Sequence, residues 1–248
     1  MSARKELTVH GLNAVLASLA QRPDQVVRLF FNSEQAPKLG AACKRLAAAR
    51  KVYRMVEDAE LEKISGSSHH GGVVAIMSLP PARVAVAGIV PPVQGDRVVI
   101  LALDAVANAH NIGAMARTAA FLGVKVMVAD TASAAAALTP AAWRVSEGGL
   151  EHIAIFETED LSQWLASVRD RAIIIGTDQN ARQSFAAFVQ EKSTAGKPVI
   201  IVMGNEEHGL SVEVRAVCTR LLAIPGSGAV ESLNVVQASA IAMYSLLQ

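Results

Sequence analysis

Aromatic residues are scarce in this chain: two Trp, two Tyr and six Phe account for 4% of 248 residues. A core short of rings has to be filled by Ala, Val, Leu and Ile. That mix of small and β-branched side chains suits a sheet buried between helices. Cysteine is rarer still. Cys43 and Cys218 stand far apart, and no four-ligand spacing surrounds them, so neither a structural disulfide nor a metal site is expected. Such cysteine usage fits a reducing, cytoplasmic setting. No apolar run approaches the roughly 20 residues that cross a bilayer, so no membrane partner is expected. Met1 to Leu7 alternates charges without an apolar stretch, which argues against a secretory signal.

An excess of one charge is missing too: 23 Lys and Arg against 22 Asp and Glu leave +1. The balance is uneven along the chain, however. Residues 1–80 carry 11 basic and 7 acidic side chains, while residues 81–248 carry 12 and 15. Any polyanion contact is therefore expected on the N-terminal part.

What the chain has is a hydrophobic fraction of 52% with 18% charged residues, the make-up of a well-packed globular protein. Its length allows one large or two small domains. The clearest punctuation is Leu79-Pro80-Pro81 followed by Pro91-Pro92-Val93-Gln94-Gly95. Proline fixes φ and removes a donor, so residues 79–95 read as a linker, with a short extended piece around Val84–Val86. It separates a small α/β unit, 1–78, from a larger one, 96–248.

In the small unit the pattern predicts helix Leu7–Ala20, strand Val26–Phe31, helix Gln35–Arg50, strand Val52–Val56, a short helix, and strand Gly72–Met77. The second helix and the few residues after it carry Lys38, Lys44, Arg45, Arg50, Lys51 and Arg54. Such a run is either a solvated face or a phosphate contact. In the larger unit, strands are expected at Val98–Leu103, Val124–Val128, Ile153–Phe156, Ala172–Gly176, Val199–Met203 and Leu221–Ile224. Helices lie between them, one of them Ile112–Leu122, and Ala132–Ala142 reads as an ordered loop leading into a helix. Regular alternation implies a mostly parallel sheet covered on both faces, with ligands at the carboxyl ends of its strands.

Three of the loops at those ends carry polar residues. The first runs from Leu103 to Ala119 and includes Asn111, Gly113 and Arg117. Taken singly, Asn111 is an ordinary helix cap and Arg117 an ordinary surface arginine. The second, Met203-Gly204-Asn205-Glu206-Glu207-His208-Gly209, runs a hydrophobic strand into two glycines and two carboxylates. The third, Ile224-Pro225-Gly226-Ser227-Gly228 to Ser232-Leu233-Asn234-Val235, precedes a terminal helix apolar almost all round, which is expected to be buried. Its Gly-Ser-Gly piece is not a dinucleotide fingerprint: Glu231 occupies the third glycine position, and the loop stands at the wrong end of the chain.

In this order the three loops resemble the SpoU branch of the SPOUT family of RNA 2′-O-ribose methyltransferases. Asn-x-Gly-x-x-x-Arg is met by Asn111, Gly113 and Arg117, and Gly-x-Glu-x-x-Gly by Gly204, Glu206 and Gly209. Ile-Pro followed by Ser-Leu-Asn-Val is met by Ile224, Pro225 and Ser232 to Val235. The N-terminal part also resembles the small ribosomal-protein-like substrate domain that precedes many SpoU catalytic domains, with His10-Gly11 and His69-His70-Gly71-Gly72 as the resembling residues.

The resemblance implies a trefoil-knotted parallel sheet with helices on both faces, S-adenosyl-L-methionine as cofactor, RNA as substrate and a homodimer. It places Asn111, Arg117, Glu206, Ser232 and Asn234 around the methyl-transfer centre. Met203, Gly204, Ile224, Pro225, Leu233 and Asn234 would hold the cofactor. A structured RNA, ribosomal before transfer, is the implied target. The family assigns activation of the hydroxyl to the arginine matching Arg117. A guanidinium is a poor general base because it is effectively always protonated. Arg117 is therefore expected to grip a neighbouring phosphate and favour the developing alkoxide electrostatically.

The chain departs from the family pattern twice. Asn108-Ala109 stands where Asp-Pro is usual, which loosens one turn. Val236-Gln237-Ala238 stands where Ser-Val-Ala is usual, and it places a polar group in a helix expected to be buried. Two functional readings remain: an active methyltransferase, and an RNA-binding paralogue that keeps the fold without catalysis. Of the other residues, Trp143 and Trp164 read as core or loop-packing residues, and His69, His70 and His208 as loop histidines. Adjacent histidines on a strand face opposite ways and rarely share a metal.

Overall fold

The computed structural model describes residues 6–79, 83–93, 97–191 and 196–248. Pro80, Pro81, Gln94 and Gly95, and the N-terminal residues before Glu6, lie outside them. The N-terminal unit is built on a four-stranded sheet of β1 (Glu6–His10), β2 (Val26–Phe31), β3 (Val52–Met55) and β4 (Val73–Ser78), ordered β1-β4-β2-β3. Strand β4 is antiparallel to both neighbours, while β3 runs parallel to β2. Helices α1 (Leu12–Gln21) and α2 (Ala36–Ala48) bury Val15, Leu19, Leu39 and Leu46 against one face, beside Leu29 and Met77. Helix α3 (Asp58–Ser65) places Leu61 on the other, beside Val74 and Ile76.

The expected helix Leu7–Ala20 is corrected at its start, where Leu7 to His10 belong to β1. Leu7 and Val9 are buried while Thr8 between them is only half-buried, an alternation of period two that belongs to a strand. Gly11, at φ +93°, makes the break before α1.

The second sheet has seven strands, all parallel: β5 (Val99–Leu103), β6 (Val126–Asp130), β7 (Ala154–Thr158), β8 (Ile173–Thr177), β9 (Gln183–Ser184), β10 (Val199–Met203) and β11 (Arg220–Ala223). Their order is β7-β6-β5-β10-β8-β11-β9. Along β10, Val199, Ile201 and Met203 face one hydrophobic layer and Ile200 and Val202 the other. All five are buried, as a sheet covered on both faces requires. Helices α4 (Ala109–Phe121), α6 (Pro140–Ser146), α8 (Phe185–Val189) and α10 (Val235–Leu247) supply the first layer; α7 (Leu161–Val168) and α9 (Val212–Val217) supply the second. Helix α10 packs against α4, α8, β5 and β10, so the end of the chain returns to the middle of the sheet.

Three further expectations are corrected. The segment Ala132–Ala142 is not a loop but α5 (Thr131–Ala137) and the start of α6. Asp130 caps the first by accepting from Ala132 and Ser133 N–H, and Thr139 caps the second by accepting from Ala142 N–H. Helix α10 is buried on one side only: Val235, Ala242, Met243 and Leu246 are covered, while Ile241 and Tyr244 are exposed. Gln237 lies on the exposed side and needs no buried partner. His70 is buried and accepts from Gly72 N–H at 3.1 Å, so it shapes its turn from within.

The linker holds its extended piece. Val84 bridges Glu157 at the edge of β7, with Ala85 N–H donating to Glu157 C=O at 2.8 Å. Ala87, Ile89 and Val90 then pack on the layer that holds Trp164.

Candidate active site

Strands β5 and β10 are adjacent and parallel, with Leu103 paired to Met203, so the first two polar loops leave the sheet side by side. A lattice of hydrogen bonds ties them together. Asp104 N–H donates to Met203 C=O at 2.9 Å, and the Asp104 carboxylate accepts from Ser211 N–H at 2.7 Å. Asn205 Nδ2 donates to Ala105 C=O at 2.9 Å, while Asp130 Oδ2 accepts from Ala105 N–H at 2.6 Å. Ala105 has φ +56°, a conformation these partners over-determine. Asp104, Asp130 and Asn205 were missed as site residues. The only available signal was their position at the ends of β5, β6 and β10.

The second loop closes on itself. Asn205 and Gly209 exchange N–H to C=O hydrogen bonds of 2.9 Å, and Asn205 Oδ1 accepts from Glu207 and His208 N–H. Gly204 lies under this closure. A Cβ there would fall inside 3.0 Å of the Gly209 carbonyl and of Leu210 N, so only glycine allows the approach.

Asn111 does not cap α4. Asn108 does, its Oδ1 accepting from His110 N–H at 2.9 Å and Asn111 N–H at 3.3 Å. The turn expected to be loosened by the missing proline is thus capped. Asn111 is left free to reach across, and its Nδ2 donates to Glu206 Oε1 at 2.7 Å. Gly113, just beyond, lets α6 approach: a Cβ there would fall inside 3.0 Å of Ala142 C=O.

Of the five polar residues singled out around the transfer centre, Asn111 and Glu206 are in direct contact. Asn234 caps α10, its Oδ1 accepting from Val236 N–H at 2.8 Å. Arg117 and Ser232 are exposed, and no hydrogen bond or ion pair engages their side chains among the described residues. Met203 is buried under the lattice, and Gly204 beside it is buried. Residues 225–234, including Pro225 and Leu233, are exposed throughout, and Ile224 is half-buried. Val230 and Leu233 are open to solvent in that loop. Bare apolar side chains on a glycine-rich loop leave apolar surface that a partly apolar ligand would cover.

Cys218 lies near this region, but burial and the Asp104 charge push its thiol up to about 11, which makes it inert as a nucleophile. No group of three or more metal-ligating side chains exists among the described residues. A polar cleft of about 540 Å³ lies instead in the N-terminal unit, lined by Asn32, Glu34, Asp58, Glu62 and His70 among others. Its three carboxylates make it a poor phosphate site.

Comparison with known proteins identifies relatives of both units. A family model described as SpoU rRNA methylase matches residues 98–244, and one described as RNA 2′-O ribose methyltransferase substrate binding matches residues 8–82. An uncharacterized tRNA/rRNA methyltransferase, YfiF of Escherichia coli O157:H7, is 32% identical over 231 residues, which are 93% of this chain and 65% of that protein. A tRNA/rRNA methyltransferase of Haemophilus influenzae, also uncharacterized, is 37% identical over 165 residues, 66% of this chain and 46% of its own. The chain thus spans about half to two thirds of the length of these two relatives. The 23S rRNA (guanosine-2′-O-)-methyltransferase RlmB of Bordetella pertussis is 29% identical, with 94% of each chain covered. Among solved structures, an AdoMet-bound rRNA methyltransferase from Sinorhizobium meliloti superposes with TM-score 0.78 at 22% identity, covering 97% of this chain and 86% of that one. The SpoU methyltransferase AviRb from Streptomyces viridochromogenes gives TM-score 0.75 at 22% identity, over 98% and 88%. At such identities these two likenesses show the fold.

Proposed function

Because the chain belongs to the SpoU rRNA methylase family, we propose that it transfers a methyl group from S-adenosylmethionine to a ribose 2′-hydroxyl of structured RNA, ribosomal RNA before transfer RNA. The observation that carries this reading is the Asn111–Glu206 hydrogen bond, which ties the start of α4, the helix that carries the exposed Arg117, to the loop after β10. S-adenosylmethionine would supply an electrophilic methyl carbon. Gly204 and the Ile224–Leu233 loop would hold it, while Asn111 and Glu206 orient the hydroxyl's approach and Arg117 grips an adjacent phosphate.

RNA selection is assigned to the N-terminal unit, 1–78. On the basic run around α2, Lys38, Arg45 and Lys51 are already committed to Gln35 Oε1, Leu19 C=O and Asp24 C=O. Lys44, Arg50 and Arg54 are exposed with no side-chain hydrogen bond or ion pair among the described residues, and Tyr53 is exposed on β3; basic and aromatic side chains of this kind suit phosphate contact and base stacking. The unit 96–248 is the catalytic domain, with 79–95 joining the two. A homodimer accounts for Phe121, Ile241 and Tyr244, exposed on the packed helices α4 and α10. Light scattering should give twice the mass of one chain; a monomer at micromolar concentration contradicts the dimer. Titration calorimetry with S-adenosylmethionine tests the whole reading: saturable binding is expected, and its absence removes the enzyme reading.

A further inference from the structure

The two units are joined by more than the linker. Five consecutive residues after α6, Glu147 to Glu151, are gripped from both sides. On one side stands α1 of the N-terminal unit. Asn13 Nδ2 donates to Glu147 Oε2 at 2.7 Å, and Ser18 Oγ donates to Glu151 Oε1. Arg22 Nε lies 2.7 Å from Glu151 Oε2 without aiming its N–H at it, so that contact is coulombic. The same guanidinium stands 5.5 Å from the centre of the Trp143 ring. Ser18 and the Glu151 side chain are 0% exposed.

On the other side stands α4. A Cβ at Gly149 would fall 2.8 Å from Arg117 Cα and 2.9 Å from Ala116 C=O. A Cβ at neighbouring Gly148 would fall 2.7 Å from Ala17 Cβ. Two adjacent glycines are therefore pressed against different units, one against α1 and one against the backbone of Arg117. The Glu151 carboxylate, cut off from water, needs its partners, and Ser18 and Arg22 both belong to the N-terminal unit. Displacing α1 strips that carboxylate of both, and the turn must then shift or admit water. Arg117 shifts with it, since close-packed backbones transmit such displacement.

We propose that Glu151 is a positioning residue: through the Glu147–Glu151 turn, the seating of α1 sets the position of Arg117, so that RNA held by the N-terminal unit tunes the transfer step. The catalytic consequence rests on the methyltransferase reading; the mechanical coupling does not.

The test uses the full chain and the variants Ser18→Ala, Glu151→Ala and Glu151→Gln. Hydrogen exchange reads the coupling directly. In Ser18→Ala and Glu151→Ala, exchange of α4 residues 114–121 should rise at least about threefold, with residues 199–210 unchanged. In methyl transfer, kcat should fall about tenfold while KM for RNA and the affinity for S-adenosylmethionine stay within about twofold. Glu151→Gln, which keeps an acceptor for Ser18, should recover part of that loss. Unchanged α4 exchange in Ser18→Ala overturns the proposal, as does a rise spread evenly over both units. Ser18→Ala keeps the test decisive should Glu151→Ala fail to fold. If the wild-type chain methylates no RNA, the functional reading fails, and the exchange experiment alone decides the coupling.

Discussion

Asn111 Nδ2 donates to Glu206 Oε1 at 2.7 Å across 95 positions of sequence, tying the start of α4 to the loop after β10. The bond exists because Asn108 takes over the capping of α4 and frees the Asn111 amide. Solvent reaches this pair, so its use lies in holding the two groups in place. Glu206→Ala should lower kcat at least about tenfold, with S-adenosylmethionine affinity changed far less. Steady-state methyl transfer checks this, and full activity in the variant contradicts the role given to the pair.

Gly204→Ala should damage the fold of the site itself. The added methyl meets backbone, the Gly209 carbonyl and Leu210 N, which cannot swing away as a side chain can. Overpacking of this kind costs about 1–3 kcal/mol, which lowers Tm by roughly 2–12 °C in a protein of this size. Thermal denaturation measures the first effect, and calorimetry should show S-adenosylmethionine binding weakened at least about tenfold. An unaltered Tm would mean the loop relaxes freely.

Arg117→Lys separates two ways of using a positive charge. If the arginine holds a phosphate with its planar fork, lysine supplies only a point charge, and activity should drop at least about tenfold. Near-full activity would show that the fork is dispensable. Because the Arg117 side chain has no intramolecular partner among the described residues, Tm should stay within about 1 °C in either case.

Burial holds the Glu151 carboxyl above its ordinary value of 4.5, against the opposing pull of Ser18, Arg22 and His152. The native state thus binds that proton more tightly than the unfolded chain does. Its contribution to stability is full below pH 4.5 and is lost as pH rises through the raised native value. Glu151→Gln has nothing to titrate. The variant's Tm minus that of the wild type should therefore rise as pH goes from 4 to 7, and a difference that falls contradicts the assignment.

The sheet of the larger unit was readable because strands such as Val199–Met203 are continuous apolar runs between turn residues. Its polar loops were readable because each follows a strand end. Leu7–His10 was misread because four residues of alternation ran straight into a helical pattern, and only the positive φ of Gly11 separates them. Asn108 went unrecognised as the cap because Asn111, three residues on, has the same capping chemistry. The lattice that joins Asp104, Asp130 and Asn205 leaves no signature in sequence, since Asp104 meets Ser211, Asp130 meets Ala105 and Asn205 meets Ala105 from different strand ends. The same holds for Ser18 and Glu151, 133 positions apart. Such contacts are set by how the units dock, which periodicity does not encode.

Methyl transfer to a ribose hydroxyl, with Arg117 as its electrostatic anchor, is tested by mapping every 2′-O-methyl position in total RNA from cells carrying the wild-type chain or Arg117→Ala. One site, in ribosomal RNA, should lose its methyl group in the variant while the protein is expressed at equal level. A methylation map identical in the two strains would rule out this role for Arg117.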